Sequence, residues 1–167
     1  MVLTKSELIA SLQNEVRILL HLAGKIDRAT LDYRPTPKQR STIELLRYLT
    51  VMGPALVRAA KSGAFDPAAW TAAENAASVG DVDQTLVAPA AQSAVYAELL
   101  ADVSDADFRA EVEIFGGKCS RGAFLVNTVL CGCAAYRTQI FLYLKSCGRQ
   151  DLNTMNLWAG VDPPRKD

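Results

Sequence analysis

The sequence predicts an all-α fold in which long amphipathic helices pack as a bundle. Several stretches place apolar residues three and four positions apart, which is the spacing of a helix with one buried face. Two of these stretches begin with a capping box, and few segments alternate as a β-strand would. The length of 167 residues, half of them apolar, suits one domain with a substantial core. We therefore expect a single domain over residues 1–167, with residues 149–167 as a C-terminal tail packing on it.

The first two helices are predicted from their amino termini. Segments 4–7 and 41–44 each begin with Thr or Ser and carry Glu three residues later, a pairing that satisfies the free backbone amides of a helix start. Apolar stripes follow, formed in the first helix by Leu8, Ile9, Leu12, Val16, Leu19, Ala23 and Ile26, and in the second by Leu45, Leu46, Leu49, Met52, Gly53, Leu56 and Ala60. Pro35 and Pro37 keep the connection between them non-helical. We expect the first helix to end near 24–27 and the second at Gly63.

Two further helices are predicted in the second half of the chain. The third spans about 84–103, with Pro89 in its first turns, and the fourth spans about 120–147 before Gly148. The Ala-rich segment 65–77 is interpreted as a connection with one helical turn. Segment 108–119 contains a Gly-Gly pair and is predicted to be extended.

Composition excludes several classes of function. The 18 basic and 18 acidic residues cancel, so we expect neither nucleic acid nor a membrane surface as a partner. The first ten residues lack the apolar core of a signal peptide, so we expect a cytoplasmic protein whose four cysteines are reduced. The single histidine, His21, excludes a site built from two or three imidazoles of one chain. We expect it to be solvated on the polar face of the first helix.

The fourth helix has two apolar faces. One should face the bundle interior and consists of Leu125, Val129, Gly132, Tyr136, Ile140 and Tyr143, with Gln139 beside it. Its tyrosine hydroxyls mark either a hydrogen-bonded core or the wall of a pocket. The other face carries Leu130, Ala134 and Phe141 and needs a cover of its own. A second copy of the chain in a homodimer and the tail residues Leu157 and Trp158 are both possible covers.

Two short segments resemble the DinB-like superfamily, the DinB/YfiT-like metalloenzymes. The first is Tyr-Arg-Pro-Thr-Pro at 33–37, leading into Ser-Thr-Ile-Glu-Leu-Leu-Arg-Tyr-Leu at 41–49. The second is Tyr-Arg-Thr-Gln at 136–139, followed by Tyr-Leu-Lys at 143–145 and by Gly148. The resemblance implies a four-helix bundle with a long crossover between helices two and three, often dimeric. Several families of this kind are thiol-dependent S-transferases, hydrolases or isomerases.

The resemblance also implies where a metal would be held. Such proteins typically bind a divalent ion through one histidine on helix two and two histidines on the last helix. Carried onto this sequence, these positions are Tyr48, Gly132 and Tyr136. Segment 120–150 contains no Asp, Glu or His that could replace them. We therefore expect a degenerate site without metal or other cofactor.

Two classes of function remain open from the sequence. In the first, the protein is a metal-free module whose cleft, lined by Tyr48, Gly132, Tyr136, Gln139 and Tyr143, binds a small molecule or only packs. If it only packs, the second face of the fourth helix becomes the functional surface of a structural or interaction module. In the alternative, the protein is a metal-independent transferase or hydrolase in which Tyr48 or Tyr136 acts as general acid. Arg137 would then stabilise a developing anion, although its position on the helix is expected to point it to the bundle edge or an interface.

Overall fold

The fold is all-α, as predicted, in a computed structural model that describes residues 3–164. Helix α1 spans Lys5–Ala23 and helix α2 spans Thr42–Ser62, and both predicted capping boxes are confirmed. In each box the hydroxyl of Thr4 or Ser41 accepts a hydrogen bond from the amide three residues later. A single 3-10 turn, Arg28–Thr30, lies in the connection between the two helices. These two helices are therefore specified locally, at their first turns.

The Ala-rich segment is a complete helix, so its interpretation as a connection is wrong. Helix α3 spans Pro67–Val79, because Asp66 caps its start and accepts from the amides of Ala68 and Ala69. Pro67 occupies the first helical position, where its missing N–H costs nothing, and alanine has the highest helix propensity. The long crossover between α2 and the next bundle helix thus contains a 13-residue helix.

The predicted third helix is divided in two. Helix α4 spans Val82–Val87 and helix α5 spans Pro89–Leu99, with Ala88 between them. Pro89 has no N–H to donate, which breaks the helical hydrogen-bond ladder at this point. Helix α5 also ends earlier than the predicted boundary at 103.

A small β-hairpin follows, which confirms part of the prediction that segment 108–119 is extended. Strands β1 (Glu111–Ile114) and β2 (Gly117–Ser120) pair antiparallel, whereas Phe108 lies in a 3-10 turn, Asp107–Arg109. The two turn residues, Phe115 and Gly116, both have positive φ, at 57° and 75°. This backbone matches the tight two-residue turn that the strand twist favours.

The last bundle helix runs continuously through three segments. Helix α6 spans Arg121–Phe124, a π-helical stretch spans Leu125–Leu130, and helix α7 spans Cys131–Ser146. Together they match the predicted fourth helix. The wide π turns shift the register between its first and second halves relative to a regular wheel.

The core lies between four helices of the bundle, namely α1, α2, α5 and the last helix that ends with α7. Helices α1 and α2 each pack against both α5 and α7, as in a four-helix bundle. The fully buried side chains between them include Leu12, Leu22, Leu45, Leu49, Tyr96, Leu125 and Ile140. Within residues 3–164, no helix combines the length and hydropathy that a bilayer crossing requires.

The C-terminal segment contacts α1. A π-helical turn, Met155–Ala159, brings Asn156 Nδ2 to 3.0 Å from His21 Nε2, and Arg17 donates to the carbonyl of Gly160. The expectation of a solvated His21 is wrong, since its side chain is 16% exposed beneath this turn. Burial lowers the pKa of His21, and the nearby Asp162 carboxylate opposes this effect. The histidine therefore has a structural contact with the tail.

Candidate functional site

The three positions that the resemblance assigns to a metal come together where α2 meets α7. The rings of Tyr48 on α2 and Tyr136 on α7 meet edge to face, with centroids 5.1 Å apart. Gly132, one turn before Tyr136, faces Met52 of α2. A Cβ at Gly132 would lie 3.4 Å from the sulfur of Met52, which is ordinary van der Waals contact. Side chains already pack this junction.

Residues from other elements surround the Tyr48 ring. Trp70 of α3 meets it edge to face at a centroid distance of 5.9 Å, and the guanidinium carbon of Arg40 lies 3.9 Å from its centroid. Burial, together with Tyr136 and Glu74, raises the pKa of Tyr48 to about 12, whereas Arg40 acts in the opposite direction. The Tyr48 hydroxyl therefore stays protonated at neutral pH.

Gln139 and Tyr143 have a different environment from the other predicted cleft residues. The buried Tyr143 hydroxyl donates to the backbone carbonyl of Arg40 at 3.0 Å and accepts from Gln139 Nε2. Its ring meets Tyr33 edge to face at 5.4 Å. These contacts attach the connection between α1 and α2 to the last helix, and through Arg40 they support the face of Tyr48.

These residues do not fit the family's metal. A zinc, nickel or manganese ion requires imidazole, thiolate or carboxylate donors, and Gly132 provides no side chain. Tyr48 and Tyr136 present phenols, and the raised pKa of Tyr48 disfavours the phenolate that could coordinate. Among residues 3–164, no group of three His, Cys, Asp or Glu side chains is placed to hold a metal ion.

A small cavity opens beside Tyr48, between α2 and α3. It measures about 270 Å³ and is lined by Arg40, Glu44, Arg47, Tyr48, Glu74, Ala77 and Ser78. Sequence reasoning identified Tyr48 here and missed its charged neighbours. Glu74 comes from α3, which was not predicted as a helix, whereas Glu44 and Arg47 belong to the predicted α2 and Arg40 to the connection before it.

Arg137 is buried, contrary to the expectation that it points to the bundle edge or an interface. Its side chain is 6% exposed, and its Nε lies 3.2 Å from a carboxylate oxygen of Glu15 on α1. Burial raises the pKa of Glu15, and Arg137 partly offsets this. Burial also raises the pKa of the nearby Cys133 thiol to about 12, so this cysteine is not an activated nucleophile. Arg137 is thus engaged on the α1 side of α7.

A second buried polar group lies in the centre of the bundle and was not predicted. Gln92 of α5 donates to the Leu49 carbonyl at 2.7 Å and accepts from the hydroxyl of Tyr96 at 3.0 Å. Tyr96 in turn contacts Gly53, where a Cβ would lie 1.9 Å from the tyrosine oxygen. The four-residue spacing of Gln92 and Tyr96 on one helix face was the available signal.

The second apolar face of α7 is only partly covered. Leu130, Ala134 and Phe141 are half-buried. The tail reaches this face through Trp158, whose ring centroid lies 5.6 Å from the Arg137 guanidinium, but Trp158 remains 69% exposed. Two neighbouring grooves of about 740 and 650 Å³ both include Leu3 and Leu130 in their walls.

Comparison with known proteins supports the fold assignment. No protein-family model matches the sequence, and no curated protein matches it. Among solved structures, a DinB-like protein from Bacillus subtilis, YjoA, is similar with a TM-score of 0.68 and 17% sequence identity. The match covers 87% of this chain and 94% of that chain. The chain therefore has the DinB-like fold, an all-α bundle.

Proposed function

We propose that this protein is a metal-independent interaction module that forms a homodimer through the second face of α7. The contact between Tyr48 and Tyr136 carries the proposal, since these rings occupy two of the three positions where the family would hold its metal. Met52 packs against the third position, Gly132. A site filled in this way contributes packing between helices, which leaves binding to another surface of the molecule.

The half-buried face around Leu130 supports this choice of surface. Leu130, Ala134 and Phe141 follow one another at intervals of four and seven residues, which places them on one side of the helix. The adjoining groove of about 740 Å³ is lined mainly by apolar side chains, among them Leu8, Phe108 and Val126. Exposed apolar surface of this kind is typical of protein interfaces. A second copy of the same face, related by a two-fold axis, would cover it.

The alternative of metal-independent transferase or hydrolase chemistry is less well supported. A tyrosine with a pKa of about 12 is a weaker acid than an ordinary tyrosine and holds its proton more firmly. Arg137, the group suggested to stabilise an anion, is paired with Glu15. We also place the protein in the cytoplasm, which the four free cysteines support.

Light scattering after size exclusion tests the homodimer. We expect a mass of twice the 18.1 kDa of one chain at micromolar concentration. Ala134→Glu places a charge on the proposed interface and should yield a monomer with unchanged helical circular dichroism. Ala72→Glu makes the same change on the exposed face of α3 and should remain dimeric. A wild-type monomer, or two variants with the same mass, would contradict the proposal.

Elemental analysis tests metal independence. Untagged protein purified without added metal should contain no stoichiometric transition metal, because the junction offers phenols and a glycine as its side chains. A stoichiometric ion that is lost in Tyr48→Phe but retained in Tyr33→Phe would overturn this half of the proposal. Tyr33 is a suitable control because it meets Tyr143 and not Tyr48.

A further inference from the structure

Helix α3 packs on α2 without burying any residue completely. Its half-buried positions, Trp70, Ala73, Glu74 and Ala77, share one face at helical spacing. Between this face and α2 lies a cavity of about 500 Å³, within the range of small-molecule sites. Its walls are mainly apolar and include Val51, Pro54, Ala55, Phe65, Ala69, Trp70 and Ala73. The lining of the cavity therefore favours an apolar ligand.

A positive group lies at one end of this cavity. A smaller cavity of about 180 Å³ shares Thr50, Ala76 and Ala77 with the first, and Arg47 is the charged residue in its lining. The Nη2 of Arg47 donates to the Gly80 carbonyl at 2.9 Å, which fixes the guanidinium in place. Its Nε is buried and has no hydrogen-bond partner within residues 3–164. The Arg47 side chain is only half-buried, so the outer nitrogens of its guanidinium can still donate to an acceptor placed in this cavity.

We propose that the space between α2 and α3 binds a hydrophobic monocarboxylate, with the carboxylate at Arg47 and the apolar chain lying along α2 towards Trp70. A guanidinium forms a charge-assisted hydrogen bond with a carboxylate, which distinguishes this ligand from a neutral lipid. From Arg47 to Arg58, the last charged α2 residue in the lining, the helix rises about 16 Å. This length suits an aliphatic acid of medium chain length. Helix α3 packs on α2, so the proposal is independent of the dimer face on α7.

Tryptophan fluorescence measures the binding directly. The sequence has two tryptophans, and Trp158→Phe removes the exposed one, which leaves Trp70 in the cavity wall as the reporter. Titration of this variant with decanoate should produce a saturable change. Decanol, which has the same chain without the carboxylate, should bind about tenfold more weakly, the effect of losing a hydrogen bond to a charged group.

Three variants in the Trp158→Phe background locate the ligand. Arg47→Gln should weaken decanoate binding about tenfold and leave decanol binding unchanged. Ala73→Leu fills the cavity and should abolish binding of both compounds. Ala72→Leu makes the same change on the outer face of α3 and should preserve binding. Thermal melting of each variant without ligand verifies that the bundle is folded.

Several results would overturn the proposal. Absence of a saturable change with decanoate in the Trp158→Phe protein would exclude the site. Equal binding by Ala73→Leu and Ala72→Leu would place the ligand outside the cavity. A loss of decanoate binding in Arg58→Gln, with none in Arg47→Gln, would exclude Arg47 as the carboxylate partner.

Discussion

Gly53→Ala tests the most tightly packed contact of the bundle. Gly53 lies inside α2, where alanine would ordinarily stabilise the helix by about 1 kcal/mol. At this position, however, the new Cβ would lie 1.9 Å from the hydroxyl oxygen and 2.9 Å from the ring carbon Cζ of Tyr96. Tyr96 is completely buried, so its ring can move only if neighbouring core side chains move with it. We expect the substitution to destabilise the protein strongly.

The magnitude follows from the movement required. The tyrosine oxygen must retreat by about 1.5 Å to restore ordinary van der Waals contact, which breaks its 3.0 Å hydrogen bond to Gln92. Overpacking costs about 1–3 kcal/mol and the unsatisfied buried amide about 1–3 kcal/mol. After the gain in helix propensity, we expect a net loss of about 3 kcal/mol, or a Tm about 10 °C lower.

Gly132→Ala provides the matched control. It is also a glycine-to-alanine change inside a bundle helix, but its Cβ would meet only the flexible end of Met52 at 3.4 Å. We expect it to raise stability by about 0.5–1 kcal/mol. Urea denaturation and thermal melting of both variants, followed by circular dichroism, provide the comparison. If Gly53→Ala is as stable as Gly132→Ala, the assigned contact with Tyr96 is wrong.

A double-mutant cycle separates this contact from a general effect on α2. Tyr96→Phe alone should cost about 1–2 kcal/mol, because Gln92 loses its hydroxyl donor. In the Tyr96→Phe background, Gly53→Ala should cost less by at least about 1 kcal/mol, since the closest overlapping atom is gone. Additive losses would show that the two residues act separately.

Three further predictions concern ionisable groups. Absorbance titration should show a tyrosine with a pKa of about 12 that is missing in Tyr48→Phe. Because this pKa is raised in the folded protein, the stability that the protonated Tyr48 contributes should be full below pH 10 and decline as the pH rises towards 12. Arg137→Met should lower the free energy of unfolding by about 3 kcal/mol at neutral pH, because it leaves the Glu15 carboxylate buried and unpaired. Urea denaturation should show a smaller loss at acidic pH, where Glu15 takes up a proton. NMR titration of the single histidine should show a pKa for His21 below 6.5, with a further decrease in Asp162→Asn. Because the folded protein holds His21 neutral, the stability that this provides should be full above pH 6.5 and should be lost as the pH falls from 6.5 through the lowered pKa.

Local signals explain why the bundle helices were predictable and α3 was not. The capping boxes at Thr4 and Ser41 and the apolar stripes behind them mark α1 and α2 without reference to any other part of the chain. The inner face of helix α3 combines Trp70 and Glu74 with alanines and has no stripe of large apolar residues, so periodicity gives almost no signal. The residues that could have predicted the start of this helix are Asp66, an N-cap, and Pro67, a proline at the first helical position.

The candidate site was predictable in its positions but not in its surroundings. Helical spacing and the family resemblance brought Tyr48, Gly132 and Tyr136 together, and the structure places them at one junction. The partners of these residues come from distant segments, as the contacts of Tyr48 with Arg40 and Trp70 show. The burial of Arg137 depends on Glu15 of α1, a pairing that spacing along one helix cannot reveal.

Aromatic side chains link α2 and α7 at the junction where the resemblance implies a metal. A metal bound at these positions would join the two helices by coordination, and here the edge-to-face contact of Tyr48 with Tyr136 joins the same helices. The aromatic contacts then continue from Tyr48 to Trp70, from Trp70 to Phe65 and from Phe65 to Phe115 at the hairpin turn. Each such pair contributes about 0.5–1.5 kcal/mol beyond its buried area. This row of contacts ties α3 and the hairpin to the same junction, so Tyr48 connects α7 not only to α2 but, through Trp70 and Phe65, to the hairpin turn.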